Sequence, residues 1–403
     1  MTIKTERIDN FKKFGLGIFV HYGLYSALGR GEWAKFFEKI PDAEYEKLVQ
    51  NFAPKKNWAE ELAAAAADSG ARYITLTARH HDGFSLYDTA GLSDFDAPHA
   101  CGRDLAREFV EACRHHNIAP FFYHTMLDWR HPDYKADFSS YLRYLRASVE
   151  VLCKNYGEVG GFWFDGNWDK KGADWEEGAL YGLIRKYLPG VIIINNSGLN
   201  ALGQAGHGEV DCVTFERGRP DKAAGGLASE MCEVAASHWG YAAKDISFKS
   251  LRDILTSYMA CRRYGANFLF NIGPTGDGSL TDMDKGYLGA LGVWNRAYAE
   301  AVTGTKPAEI RADGNNFLLT DGKSAYYLFG EVGMGTGGEN VTAFGEGAHE
   351  IGLSGLTAKV KRVYWLDNGE ELAFGQNGNE LKISRTGFPY GANLVWRVAK
   401  IEC

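Results

Sequence analysis

From residue 16 to about 300 the chain alternates short, almost wholly apolar runs with longer stretches that carry apolar residues at helical spacing. The apolar runs are LGIFVHYG (16–23), RYITLTARH (72–80), APFFYHT (119–125), GFWFDG (161–166), VIIINN (191–196), DCVTFE (211–216) and NFLFNIG (267–273). A short SHWGY (237–241) could supply one more. Runs of this length between polar segments predict strands buried on both faces. Of the stretches between them, NWAEELAAAAADSG consists of strong helix formers and stops at Gly70. Residues 103–117, 138–157, 249–265 and a segment near 283–301 keep the helical period. Seven or eight strand–helix repeats predict a (β/α)8-like barrel of the α/β class rather than an open doubly wound sheet.

After about residue 305 the pattern changes. NNFLLTDGKSAYYLFGE, VKRVYWLDNGEELAFG and LKISR alternate apolar and polar positions and are broken by NG, DG and GG turns. That predicts a small antiparallel β-sandwich over 306–403, behind a barrel over 1–305. The glycine-rich GEVGMGTGGEN (330–340) reads as a flexible hairpin loop. GLGIF (15–19) contains a GxG but lacks the rest of a dinucleotide fingerprint.

Composition narrows the class. The chain has 403 residues, 45% hydrophobic and 24% charged, enough to bury a large core. A formal net charge of −7 argues against a nucleic-acid or anionic-membrane partner. No run approaches the roughly 18 apolar residues of a membrane helix. The start, MTIKTERIDNFKKFG, has no apolar signal core, and the seven cysteines form no CxxC or tight cluster. A reducing, cytoplasmic setting with free thiols is the expectation, which a trimmed leader would mimic. Oligomeric state is left open.

In a barrel of this kind the site lies at the C-terminal ends of the strands. The predicted strands end in His21 and Tyr22; in His80, His81 and Asp82; in Tyr123 and His124, with Asp128 and Trp129 beyond. The remaining ends are Asp165, then Asn195 and Asn196, then Glu216, and finally Asn271. A histidine, aromatic or acid at nearly every strand end predicts a hydrogen-bonding pocket with aromatic walls, which suits a sugar. Each residue also has an ordinary reading: Asp165-Gly166 is a common turn pair, Glu216 could pair with Arg217 or Arg219, and Glu32 could open a helix. Glycosidic cleavage needs two carboxyl groups, and Asp165 and Glu216, two strands apart on one rim, meet that need. The pair His80-His81 could instead hold a metal with Asp82. Adjacent strand residues face opposite ways, however, so both rings reach one ion only through a bulge or turn. No HExxH or HxH occurs, and no metal or other cofactor is expected.

The chain resembles the α-L-fucosidases of glycoside hydrolase family 29. The matching stretches are FGLGIFVHYGLYS (14–26), GEW (31–33), ARYITLTARHHDGFSLYDT (71–89), FYHTMLDW (122–129), GFWFDG (161–166), VTFE (213–216), HWGY (238–241) and GANFLFNIGPTGDGSL (265–280). The resemblance implies a barrel followed by a β-sandwich, and a retaining exo-α-L-fucosidase acting on fucosylated oligosaccharides or glycoconjugates. It places Asp165 as the nucleophile. His21, Glu32, Trp33, His80, His81 and Tyr123 would bind fucose hydroxyls or line the pocket, with Trp163 beside them, and Trp239 would wall the sugar's methyl group. Glu216 matches best as acid/base, with Glu230 and Glu233 as alternatives. Family members often carry an arginine where this chain has Ser197, which bears on aglycone preference. A metal-dependent barrel hydrolase and a non-catalytic sugar-binding protein are the rival readings.

Overall fold

The computed structural model describes residues 2–197, 202–331 and 349–403. The chain divides into two compact units: Met1–Ser250 with Ala266–Gly289, and Leu251–Gly265 with Ala290–Cys403.

The first unit contains a closed eight-stranded parallel barrel. Its strands are β1 (Leu16–Val20), β2 (Tyr73–Arg79), β3 (Ala119–Thr125), β4 (Gly161–Asp165), β5 (Ile192–Asn195), β6 (Cys212–Glu216), β7 (Ala228–Val234) and β8 (Asn267–Ile272). Each pairs with its neighbours in sequence order, and β1 closes on β8 in the register Gly17↔Leu269. The helices begin where side chains can satisfy free N–H groups. Asp104 accepts from Arg107 N at 3.0 Å and Asp137 from Ser140 N at 3.1 Å, each at a helix start. The helix Trp58–Asp68 is followed by Gly70 at φ +90°.

One strand departs from the sequence reading. SHWGY does not supply the seventh strand; ASEMCEV (228–234) does, and all seven of its residues are buried. Two glutamates interrupt its apolar pattern and hide it. They are buried because they are paired. Glu230 accepts from Trp163 Nε1 at 2.9 Å and from the Tyr73 hydroxyl, inside the barrel. Glu233 takes the Val234 N–H at 2.9 Å and the Lys249 ammonium. Burial pushes the Glu230 carboxyl up to about 7, against the two hydrogen bonds.

Below the strand ends, the barrel interior is filled by Phe19, Tyr73, Phe121, Tyr123, Trp163, Ile194 and Leu269. Ile8 and Phe11 of the N-terminal helix Ile3–Phe11 belong to the same core. Space for Tyr73 comes from Gly17, where a Cβ would fall 2.2 Å from the ring.

The second unit carries two antiparallel sheets. One runs, in spatial order, Arg362–Trp365, Trp396–Glu402, Ala325–Glu331, Phe317–Thr320 and Lys306–Pro307. The other runs Arg311–Ala312, His349–Ser354, Glu380–Arg385 and Phe374–Asn377. Leu318, Leu328, Val363 and Ile401 of the first share one core with Ile351, Leu353, Leu381 and Ile383 of the second, which makes the expected sandwich. The DG turn at 321–322 joins Phe317–Thr320 to its hairpin partner, with Gly322 at φ +74°. Most of the glycine-rich stretch 330–340 lies outside the described residues. Among those described, no helix is long and apolar enough to cross a membrane.

Gly17→Ala should force Tyr73 off its place and, as an overpacked core, cost about 1–3 kcal/mol. A lower urea midpoint followed by tryptophan fluorescence is the expected result; an unchanged midpoint would show that the ring has room to move.

Candidate active site

At the C-terminal rim of the barrel a cavity of about 170 Å³ is lined by Phe19, His21, Trp33, His80, His81, Tyr123, Trp163, Asp165, Trp168, Asn196, Glu216, Cys232 and Trp239. Alternation along the strands decides which rim residues enter it. Tyr123 faces in, whereas His124 faces out, against Ser148 at 3.0 Å and Tyr87 at 3.2 Å. Asn196 faces in, whereas Asn195 donates outward to Tyr181 at 2.7 Å. The two adjacent histidines do reach one cavity. β2 has a register shift between Thr77 and Arg79 and ends there, so His80 and His81 sit on the turn beyond it with ring centroids 4.2 Å apart. Asp82 does not join them; its carboxylate accepts from the Tyr45 hydroxyl at 2.7 Å. Asp128 turns away to pair with Arg79.

Asp165 ends β4 with its side chain 14% exposed, and polar groups from four segments surround it. Tyr123 donates to Oδ2 at 3.0 Å. Trp168 Nε1 and Asn196 Nδ2 donate to Oδ1 at 3.0 and 3.3 Å. His81 Nε2 stands 3.5 Å from Oδ2, its other nitrogen 2.7 Å from the Thr125 hydroxyl. Burial alone would push this carboxyl up. His81, Trp168 and Tyr123 outweigh it and hold Asp165 below the usual carboxylate range.

Glu216, at the end of β6, shows the opposite shift. Burial, and next the charge of Asp165, push its carboxyl up to about 7, against a hydrogen bond from Asn196. Asn196 Nδ2 donates to Glu216 Oε2 at 2.7 Å as well as to Asp165, and its carbonyl accepts from Thr214 at 2.8 Å, which fixes the amide. The two distances from Nδ2 put these carboxyl oxygens no more than about 6 Å apart. That ceiling lies near the roughly 5–5.5 Å typical of retaining glycosidases and below the 6.5–9.5 Å of inverting ones.

The remaining walls hold hydroxyl-binding and apolar groups. His21 Nδ1 donates to Asn271 Oδ1 at 2.6 Å, since the Asn271 amide nitrogen is committed to the Trp239 carbonyl at 2.7 Å. Burial pushes the His21 imidazole down to about 3, so the neutral ring keeps Nε2 as an acceptor. His80 is likewise held neutral by burial, and its buried Nδ1 has no protein partner. Trp33 stacks on Trp168 at 6.1 Å and Tyr123 on Trp163 at 5.6 Å. Trp163 is anchored from below by Glu230.

The other predicted residues lie beside the cavity. Glu32 is buried, and its Oε2 accepts from Gly240 N at 2.8 Å, next to Trp239. Glu230 and Glu233 are not among the lining residues. Arg217, at φ +52°, sets its guanidinium 5.1 Å from the Trp239 ring centre and donates to Ser237 O at 2.9 Å. Ser197 points to the carbonyls of Asn195 and Ala205, each at 3.5 Å, and leaves Asp165 without an arginine from that position. The sequence reading missed Phe19, Trp168 and Cys232. The signal for Trp168 was a tryptophan three residues after the rim acid, in FDGNW; Cys232 was hidden with its strand.

The family described as Alpha-L-fucosidase matches residues 3–300. Tissue alpha-L-fucosidase of Rattus norvegicus is 28% identical over 354 residues, covering 79% of this chain and 74% of its own. The solved alpha-L-fucosidase isoenzyme 1 from Paenibacillus thiaminolyticus superposes with a TM-score of 0.85 at 28% identity, covering 100% of this chain and 99% of that one. The same fold recurs, at 24% identity and a TM-score of 0.81, in a trapped covalent intermediate of an alpha-L-fucosidase GH29 from Bacteroides thetaiotaomicron with 2-fluoro-fucosyl fluoride. That match covers 98% of this chain and 96% of that one.

Because the charge of Asp165 helps hold the proton on Glu216, Asp165→Asn should move the Glu216 carboxyl back toward the ordinary glutamate value. Carbon-detected NMR titration of the glutamate carboxyls, compared with Glu216→Gln to assign the signal, should record a downward shift. An unmoved midpoint would mean that the two groups do not sense each other.

Proposed function

The chain belongs to the α-L-fucosidase family of glycoside hydrolases, and from that premise we propose that it is a retaining exo-α-L-fucosidase. It releases terminal α-L-fucosyl residues from oligosaccharides or glycoconjugates by double displacement. The observation that carries the reading is the pair of carboxyl groups with opposite proton affinities, tied together by Asn196 in one small cavity. At about 170 Å³ the cavity is small beside the roughly 300–1,000 Å³ of pockets for larger ligands, which favours one terminal sugar ring over an internal one.

In the first step a carboxylate oxygen of Asp165 attacks the anomeric carbon as the bond to the leaving oxygen breaks. Glu216 gives that oxygen its proton. In the second step Glu216 takes a proton from water, the water oxygen bonds to the anomeric carbon, and the bond to Asp165 breaks. Two inversions leave the configuration unchanged. The low proton affinity of Asp165 keeps it charged for attack, and the raised affinity of Glu216 keeps a proton available near neutral pH. The covalent intermediate trapped for the Bacteroides relative supports a covalent fucosyl-enzyme. His21 and His80, neutral and partly unpartnered, serve the sugar hydroxyls, with His81, Tyr123 and Trp33 beside them. Trp239 faces the sugar's methyl group, held by Glu32 through Gly240 and by Arg217 across its face. Glu230 acts only through Trp163, and Glu233 lies on the outward face of β7. Both therefore serve positioning and packing, and the acid/base role falls to Glu216.

Asp165→Gly should lose more than about a thousandfold in turnover of an aryl α-L-fucoside. Azide should restore activity and yield a fucosyl azide; a rescue-free variant with intact fold would remove Asp165 as nucleophile. Glu216→Ala should lose roughly 10²–10⁴ on a fucosyl disaccharide yet spare the first step on an activated aryl leaving group. If Glu230→Ala shows that pattern instead, the acid/base is misassigned. For the disaccharide, kcat/KM should fall as pH rises through about 7, where Glu216 loses its proton, and that alkaline limb should vanish in Glu216→Gln. A limb that persists in Glu216→Gln belongs to another group.

A further inference from the structure

Two helices of the first unit bring three metal-ligating side chains to one point away from the sugar cavity. Glu60 lies in the first turn of the helix Trp58–Asp68, His115 ends the helix Leu105–His115, and His116 caps it. Consecutive helical residues diverge by about 100°, which would separate the two rings. His116 sits just past the helix at φ −93° and ψ 9°, and both rings nevertheless reach one carboxylate oxygen. His115 Nδ1 stands 2.8 Å and His116 Nε2 2.7 Å from Glu60 Oε1. One ligand atom from each residue lies within 4.8 Å of the others, and no second group of this kind occurs among the described residues.

We propose that Glu60, His115 and His116 form a surface site for a zinc-class divalent ion. Two imidazole nitrogens and one carboxylate oxygen are a zinc donor set that leaves a fourth position to water. Tetrahedral bonds of about 2.0–2.1 Å place donors roughly 3.3 Å apart, so each imidazole–carboxylate pair needs to open by only about half an ångström. Side-chain exposures of 45%, 73% and 24% give an ion access and room for its water. The field favours a cation: the carboxylate is charged, and the C-terminal end of Leu105–His115 carries partial negative charge. Arg114, the neighbouring cation, is committed to the carbonyls of Tyr156 and Glu158 at 2.6 and 3.0 Å. The ion would tie together two helices already joined at Trp58 Nε1 and Glu108, 2.9 Å apart, about two turns earlier on the second helix. The donor set selects zinc or copper over magnesium, which prefers oxygen ligands.

The site is independent of the proposed reaction and can be tested apart from it. Zinc chloride is titrated calorimetrically into the full chain, into Glu60→Gln and into His116→Ala, all folded by circular dichroism. One zinc per chain is expected, with affinity at least tenfold weaker in each variant, a rise in melting temperature on adding zinc confined to the unaltered chain, and no heat from magnesium. Turnover of an aryl fucoside should be the same in all three, with or without EDTA. No zinc bound by the unaltered chain, or equal binding by both variants, overturns the site; so does loss of turnover in step with zinc removal, which would place the ion at the sugar cavity.

Discussion

A carboxylate has to stay ionised inside an aromatic cavity, and much of the barrel rim is arranged around that constraint. An unpaired buried carboxylate would shift its proton affinity upward and neutralise. Asp165 avoids this because Tyr123, Trp168, Asn196 and His81 surround it. These come from β3, the segment after β4, the end of β5 and the turn after β2. No single segment can satisfy the charge, so the barrel must close in the right register before the site exists. The same charge then acts outward: it helps keep a proton on Glu216, against the hydrogen bond that Asn196 gives to both acids.

Much of this was legible in the chain. GFWFDG reads at once as a buried strand ending in an acid, and its Asp-Gly pair alone would have passed for a turn. The polar residues at the other strand ends changed that reading, because the barrel rule gathers all such ends on one rim. Less legible was ASEMCEV, where two acids broke the apolar run. Burial of Glu230 is tolerated because Tyr73 and Trp163 supply donors from strands far away in sequence, which no local pattern can announce. The histidine pair was also hard to place: alternation predicts opposite faces, but the strand ends at Arg79 and both rings enter one cavity from the turn beyond it.

The segment after β7 is loop rather than strand, and this bears on the pocket. Trp239 has no sheet to fix it. Its position rests instead on the Gly240 N–H to Glu32, the Trp239 carbonyl to Asn271, and the Arg217 guanidinium beside its ring. Asn271 in turn orients His21. One part of the cavity wall is thus a set of loop contacts, while another, at Tyr123 and Trp163, stands on strands. Arg217 is committed to this bracing, at the Trp239 ring and the Ser237 carbonyl.

The hydrogen bond from Trp163 to Glu230 sets how the strand-borne wall meets a ligand. The indole is stacked on Tyr123, packed against Phe19, and held at its Nε1 from beneath. Such a ring keeps little rotational freedom, so the loss of entropy that a mobile wall would suffer on binding has already been met during folding. A rigid surface of this kind discriminates by contour: a sugar that matches it binds without reorganisation, and one that does not finds a wall unable to yield.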